Sequence, residues 1–227
     1  MKRTAGEASP PRDGRYFRRA AFLLTLLVAG TPVLAANLTL VLLGKDGRPL
    51  EGAVVTVEPE SQKPSAATPL KAVVDQVDLA FVPDVIVVPV GSSVSFPNSD
   101  TVSHQVYSFS PARRFQLPLY RGKQRPAVVF DQPGIVTLGC NIHDNMVAYV
   151  VVTDAPFFGR TNEQGQWTIP NAPQGAYRVK VWHPWLKDPT VMLEKPVRLG
   201  GDTDIVLKIH ETTRPAPLKG HPHSWDY

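Results

Sequence analysis

Cysteine is nearly absent: Cys140 stands alone in 227 residues. A lone thiol forms no internal disulfide, which leaves it a ligand role, an intermolecular partner or burial. Methionine is almost as scarce, with only Met146 and Met192 besides Met1. Helical periodicity is missing too, since no run carries the spacing of a long amphipathic helix. The apolar run Ala20 to Ala29 is too short to cross a bilayer, which takes about 20 residues. No Gly-x-Ser-x-Gly elbow, phosphate-binding loop or dinucleotide fingerprint occurs, so the chemistries that rest on them have no support and the chain reads as a non-enzyme. Acidic residues are absent between Ser110 and Phe130, where Arg113, Arg114, Arg121, Lys123 and Arg125 gather.

Charge divides unevenly along the chain. Lys2 to Arg19 holds six basic and two acidic residues, and Val33-Leu34-Ala35 after the apolar run offers small-residue cleavage, so residues 1–35 read as a signal peptide for export to the periplasm. Removing it takes 24 basic residues to 18 and 20 acidic residues to 18. The remaining 192 residues are formally neutral, so neither nucleic acid nor a transmembrane span after signal removal is expected.

Short alternating or β-branched runs separated by Pro, Gly, Asn and Asp fill those 192 residues, which makes the class all-β. Strands are expected at Leu38 to Leu43 and Ala53 to Glu58. After a Pro-rich linker, 61–70, more follow at Ala72 to Val77, Val85 to Val88, Ser93 to Phe96, Gln105 to Ser108, Ala127 to Phe130, Ile135 to Gly139 and Val147 to Thr153. Later, Tyr177, Val179 and Val181 alternate with Arg178 and Lys180, and Ile205, Leu207 and Ile209 repeat the pattern. Residues 212–227, with His221 and His223, read as a polar disordered tail.

The densest chemistry lies in Gly139-Cys140-Asn141-Ile142-His143-Asp144-Asn145-Met146. A thiolate, an imidazole and a thioether in one turn are soft or borderline copper ligands. A trigonal His-His-Cys set with a weak axial Met is the blue-copper arrangement, and it needs one more histidine. His104, entering a strand after the polar turn Asn98 to Ser103, supplies it. Zinc is a poorer fit because Met is a weak zinc ligand. The Cys-x-x-His-x-x-Met spacing, with the upstream histidine, resembles the cupredoxin family and its short amicyanin-type loop over residues 71–153. The resemblance implies a Greek-key β-sandwich with one type 1 copper per chain on His104, Cys140, His143 and Met146, and electron transfer to redox partners. A dinuclear centre of the oxidase type would need a second cysteine. Asp144 and Asn145 depart from the apolar residues of the amicyanin loop. Asn98 and Gln105 are candidates for holding the loop or orienting His104. The basic run Arg113 to Arg125, with His143, is a candidate docking face for an acidic partner.

A second resemblance covers the remainder. Asp46-Gly47-Arg48-Pro49-Leu50, Gly52-Ala53, Gly165-Gln166-Trp167-Thr168-Ile169 and Gly175 to Trp182 are similar to a carboxypeptidase regulatory-like, or transthyretin-like, sandwich. The expected organisation is therefore a discontinuous domain, 36–60 plus 154–211, with the cupredoxin-like unit inserted or packed beside it. His183 belongs to that part and reads as structural. Copper delivery without electron transfer, or an envelope partner-binding module, are the alternative functions.

Overall fold

The computed structural model describes residues 35–61, 67–122, 126–210 and 212. The expected signal up to residue 34, linker residues 62–66, Lys123, Arg125, and the tail after Thr212 with His221 and His223 lie outside the described residues. Among the described residues every regular element is a strand. In chain order these are β1 (Ala35–Leu43), β2 (Val54–Pro59), β3 (Lys71–Val73), β4 (Asp75–Val77), β5 (Ala80–Val82), β6 (Val85–Pro89), β7 (Ser92–Ser95) and β8 (Tyr107–Ser108). They continue as β9 (Phe115–Gln116), β10 (Val128–Phe130), β11 (Gly134–Gly139), β12 (Val147–Thr153), β13 (Phe157–Arg160), β14 (Gln166–Pro173), β15 (Gly175–Trp182), β16 (Leu193–Leu199) and β17 (Thr203–Lys208).

Strands β1 and β2 pair across a long stretch of sequence. One sheet runs β14-β1-β17 and another β13-β2-β15-β16, while strands of the intervening chain build β10-β7-β3, β6-β12-β11-β8-β9 and the hairpin β4-β5. Period-two alternation fixes which face is inside. Leu38, Leu40 and Leu42 of β1 and Tyr177, Val179 and Val181 of β15 enter one core, whereas Val94, Phe96, Phe130, Val136, Leu138 and Val150 form a second.

The sheet that leads to the cysteine is covered on both faces. In β12, Ala148, Val150 and Val152 join the second core, while Tyr149 and Val151 pack with the first. Val85 and Val87 of β6 and Ile135 of β11 do the same. Strands buried on both faces read as continuous apolar runs, as Val147 to Thr153 does. Tyr149 meets the buried Trp182 ring edge-on at a centroid distance of 5.0 Å.

Arg160 fastens this joint. Its Nε donates to the Gly52 carbonyl at 3.2 Å and its Nη1 to the Val85 carbonyl at 3.0 Å. Burial raises the nearby Asp84 carboxyl above its usual range, although the Arg160 charge opposes the shift. Burial likewise lowers the Arg160 guanidinium. Desolvation outweighs the attraction at both groups, so the joint gains alignment more than stability from its charges.

The structure differs from the sequence reading in two places. The strand expected over Ala72 to Val77 is split, and its second piece, β4, turns back as β5 through Asp78 and Leu79, both at positive φ (49° and 62°). The first residue of the expected tail, Thr212, forms a bridge with Leu186 and accepts the Lys45 amide at 2.9 Å.

Candidate metal centre

Cys140 directly follows β11, and Met146 directly precedes β12. Those strands pair antiparallel from Gly134↔Val152 to Gly139↔Val147, so the ligand loop is the cap of a hairpin. The Met146 amide donates to the His143 carbonyl at 3.0 Å, which tightens the cap into a turn. Cys140 and Met146 are buried, 4% and 1% exposed, while Asn141, Ile142, Asp144 and Asn145 face solvent and His143 is half-buried. Thus the two ends of the loop point into the second core and its crest points outward.

His104 reaches the same place from another segment. Its backbone exchanges two hydrogen bonds with Tyr120, both 2.9 Å, and its side chain is fully buried. His104 Nδ1 lies 3.1 Å from His143 Nδ1, and Cys140 Sγ lies 3.9 Å from the first and 3.7 Å from the second. A metal bonded trigonally at about 2.0 Å to nitrogen and 2.3 Å to sulphur would set its donors roughly 3.5 to 3.8 Å apart. The two sulphur–nitrogen separations match, and the shorter nitrogen–nitrogen one corresponds to a narrower angle. This donor triangle therefore fits one small, soft metal ion. Among the described residues, it is the one cluster of three His, Cys or acidic groups close enough to share a metal.

The other ring nitrogen of His104 decides which atom faces that space. Nε2 lies 2.9 Å from Asp100 Oδ2, a side chain only 8% exposed. An Nε2 proton donated to this carboxylate leaves Nδ1 as a lone pair aimed at Cys140 and His143. Asp100 also accepts the Leu79 amide on Oδ2 at 2.8 Å and the Thr101 amide on Oδ1 at 2.6 Å. The His104 hydrogen bond is the largest of the effects that hold its carboxyl down at about 2, with the Leu79 amide next.

Sequence reasoning proposed Asn98 and Gln105 for this role. The structure gives Asn98 a supporting one: its Nδ2 donates to the Val102 and Tyr120 carbonyls at 3.0 and 2.8 Å, and its Oδ1 accepts the Asp100 amide at 3.0 Å. Asn98 therefore shapes the loop, and Asp100 orients the ring. Gln76, fully buried on β4, donates to the Tyr120 hydroxyl at 2.6 Å and to the Pro97 carbonyl at 2.8 Å. The β4–β5 hairpin is thus the brace for the His104 loop. The one sequence signal for Asp100 was its position four residues before His104.

The basic run is tethered here as well. Tyr120 bridges to His104, which puts exposed Arg121 next to a residue of the site. Arg113 is an exception to a free positive face, since its Nη1 lies 3.6 Å from Asp131. His183 sits apart from the metal centre. Its Nε2 lies 3.1 Å from the Glu51 carbonyl and its Nδ1 accepts the Trp185 amide at 3.0 Å, so both nitrogens serve the turns beside the first core.

No family model and no curated protein matches the chain. Solved structures do. A purple cupredoxin from Nitrosopumilus maritimus is 23% identical over 36% of this chain and 99% of its own, with a TM-score of 0.33. A copper-containing nitrite reductase from Thermus scotoductus SA-01 is 26% identical over 42% of this chain and 25% of its own, with a TM-score of 0.35. A reduced Cu(I) form of an amicyanin variant at pH 4 is 22% identical over 43% of this chain and 99% of its own, with a TM-score of 0.34.

Proposed function

We propose that the chain is an exported type 1 copper protein that carries single electrons between redox partners in the periplasm and performs no catalysis of its own. One copper would be held by His104 and His143 through Nδ1 and by Cys140 through Sγ, with Met146 as the weak fourth ligand. The observation that carries this reading is the triangle of Cys140 Sγ and two imidazole Nδ1 atoms, with sides of 3.1, 3.7 and 3.9 Å, at the buried end of a hairpin. Soft thiolate beside imidazole selects copper over the hard cations. Bound copper supplies a one-electron Cu(II)/Cu(I) couple.

The protein's part is to keep its donors still while the charge changes. His104 is fixed by Tyr120 through its backbone and by Asp100 through its ring. Cys140 and Met146 are fixed by the register of β11 and β12, a sheet packed on both faces. Donors that need not move impose little reorganisation on an electron entering or leaving. His143, half-buried on the crest of the loop beside exposed Ile142, is the ligand nearest solvent and the exit for the electron. The exposed Arg114 and Arg121 would steer an acidic partner toward that end.

Voltammetry of the full chain with one equivalent of copper tests the carrier role. A reversible one-electron wave is expected, and irreversible loss of copper on reduction would favour delivery of the ion instead. Steering makes its own prediction. Because the mature chain is formally neutral, any salt effect reports the local patch. Oxidation of the Cu(I) protein by ferricyanide should slow about threefold or more between low and 0.5 M ionic strength, as screening removes the attraction. The Arg114→Glu, Arg121→Glu double variant should abolish or reverse that dependence, and stopped-flow kinetics would read it.

A further inference from the structure

We infer that Asp100 is a positioning residue of the metal centre, a carboxylate that fixes the ring of His104 with Nδ1 toward the metal and holds the site's reduction potential down. This rests on the copper reading above. Three observations carry it, beginning with a contact of 2.9 Å between His104 Nε2 and Asp100 Oδ2, with the two side chains 0% and 8% exposed. A carboxylate hydrogen-bonded behind a metal-binding imidazole fixes its tautomer and raises its basicity as a ligand.

The second observation is that the place is built for a carboxylate and not for an amide. Oδ2 receives the Leu79 amide and the His104 ring, and Oδ1 receives the Thr101 amide at 2.6 Å. Backbone donors approach both oxygens, so the NH₂ of an asparagine would face a donor whichever way it turned. The third is the backbone of Leu79. It stands at φ 62° although its side chain is branched, large and 49% exposed, a strained conformation where glycine is not used. That turn aims the Leu79 amide at Asp100.

A negative charge behind His104 stabilises Cu(II) more than Cu(I), because the oxidised ion carries the larger charge. Removing it should therefore weaken Cu(II) binding more than Cu(I) binding. Each tenfold change in that ratio raises a one-electron potential by about 59 mV. Loss of a partner of this kind costs about 10- to 100-fold in metal affinity.

The test compares full-length wild type, Asp100→Asn and Asp100→Ala, with Ser99→Ala as the control. Ser99 Oγ donates to Asp75 Oδ2 at 2.7 Å, so that control loosens the same loop and leaves the carboxylate in place. Potentials are measured by redox titration of the copper-loaded chains, and the His104 tautomer by ¹⁵N NMR of the metal-free chains. Asp100→Asn should raise the potential by about 59 mV or more, the tenfold change above, with the thiolate band retained. Asp100→Ala should convert His104 from the pure Nε2–H form to a tautomer mixture, and Ser99→Ala should change neither readout. An unmoved potential in both Asp100 variants, or equal shifts in Ser99→Ala, overturns the proposal. If wild type gives no thiolate band with Cu(II), the copper reading fails by itself. The metal-free NMR then decides the tautomer claim, which a mixed His104 in wild type would overturn.

Discussion

Cys140→Ser is expected to erase the thiolate-to-copper charge-transfer band entirely and to weaken Cu(I) binding on the order of a hundredfold or more. The reason lies in the donor set. Sγ is the single soft donor in the triangle, 3.7 and 3.9 Å from two imidazole nitrogens. A serine hydroxyl is harder and stays protonated, so Cu(II) would keep two imidazoles and complete its sphere with water in a tetragonal geometry. The fold should tolerate the change. Serine is close to cysteine in size, and the site, although only 4% exposed, offers imidazole nitrogen as a hydrogen-bond partner. Loss of the band with an unchanged thermal transition is the expected pair of results, and a band retained in the variant would assign it to another ligand.

The second large effect falls on stability, far from the metal. Gly165→Ala should destabilise the full chain by about 3 kcal/mol or more, because a strained backbone and a steric clash add together. Gly165 sits at φ +67°, and a Cβ there would lie 2.4 Å from the Leu42 carbonyl oxygen and 3.0 Å from the Leu50 amide nitrogen. Both are backbone atoms already committed: the Leu42 amide donates to the Gly165 carbonyl at 2.8 Å, and the Leu50 amide donates to the Leu42 carbonyl at 2.9 Å. Neither can move without opening the turn that starts β14 beside β1. Gly47 supplies the contrast. It has a similar φ, +76°, with nothing within 4 Å of its would-be Cβ, so Gly47→Ala should lose only about 1 to 2 kcal/mol of conformational preference. Urea unfolding of the two variants separates strain from clash, and equal losses would mean that the Gly165 turn yields.

The candidate donors stood out because their residue types are rare. One cysteine and a methionine six residues later mark a loop wherever it folds, and antiparallel pairing of β11 with β12 then brings the ends together. Strand positions were legible for a different reason, since burial on one face imposes alternation, and in β15 Tyr177, Val179 and Val181 are buried as their alternation with Arg178 and Lys180 indicates. What could not be read is geometry that departs from local preference. The β4–β5 hairpin turns on Asp78 and Leu79, a pair without the glycine or asparagine that positive φ favours, so no strand was expected at Ala80–Val82. Strand β9 has two residues and owes its place to pairing with β8. Asp100 became the partner of His104 through loop closure by Asn98 and the hairpin, and outside a helix a spacing of four residues does not announce that contact. Double-sided burial of β12 was hidden in the same way, because the sequence shows an apolar run and not what covers each face.

The most direct measurement is the visible and electron paramagnetic resonance spectrum of the chain purified without its first 35 residues and given one equivalent of Cu(II). Copper held by Cys140 Sγ and the two Nδ1 atoms predicts an intense thiolate-to-copper band at a one-to-one endpoint, with narrow copper hyperfine splitting. A pale solution with the wide splitting of ordinary tetragonal copper would contradict it, since the thiolate would then lie outside the metal's coordination.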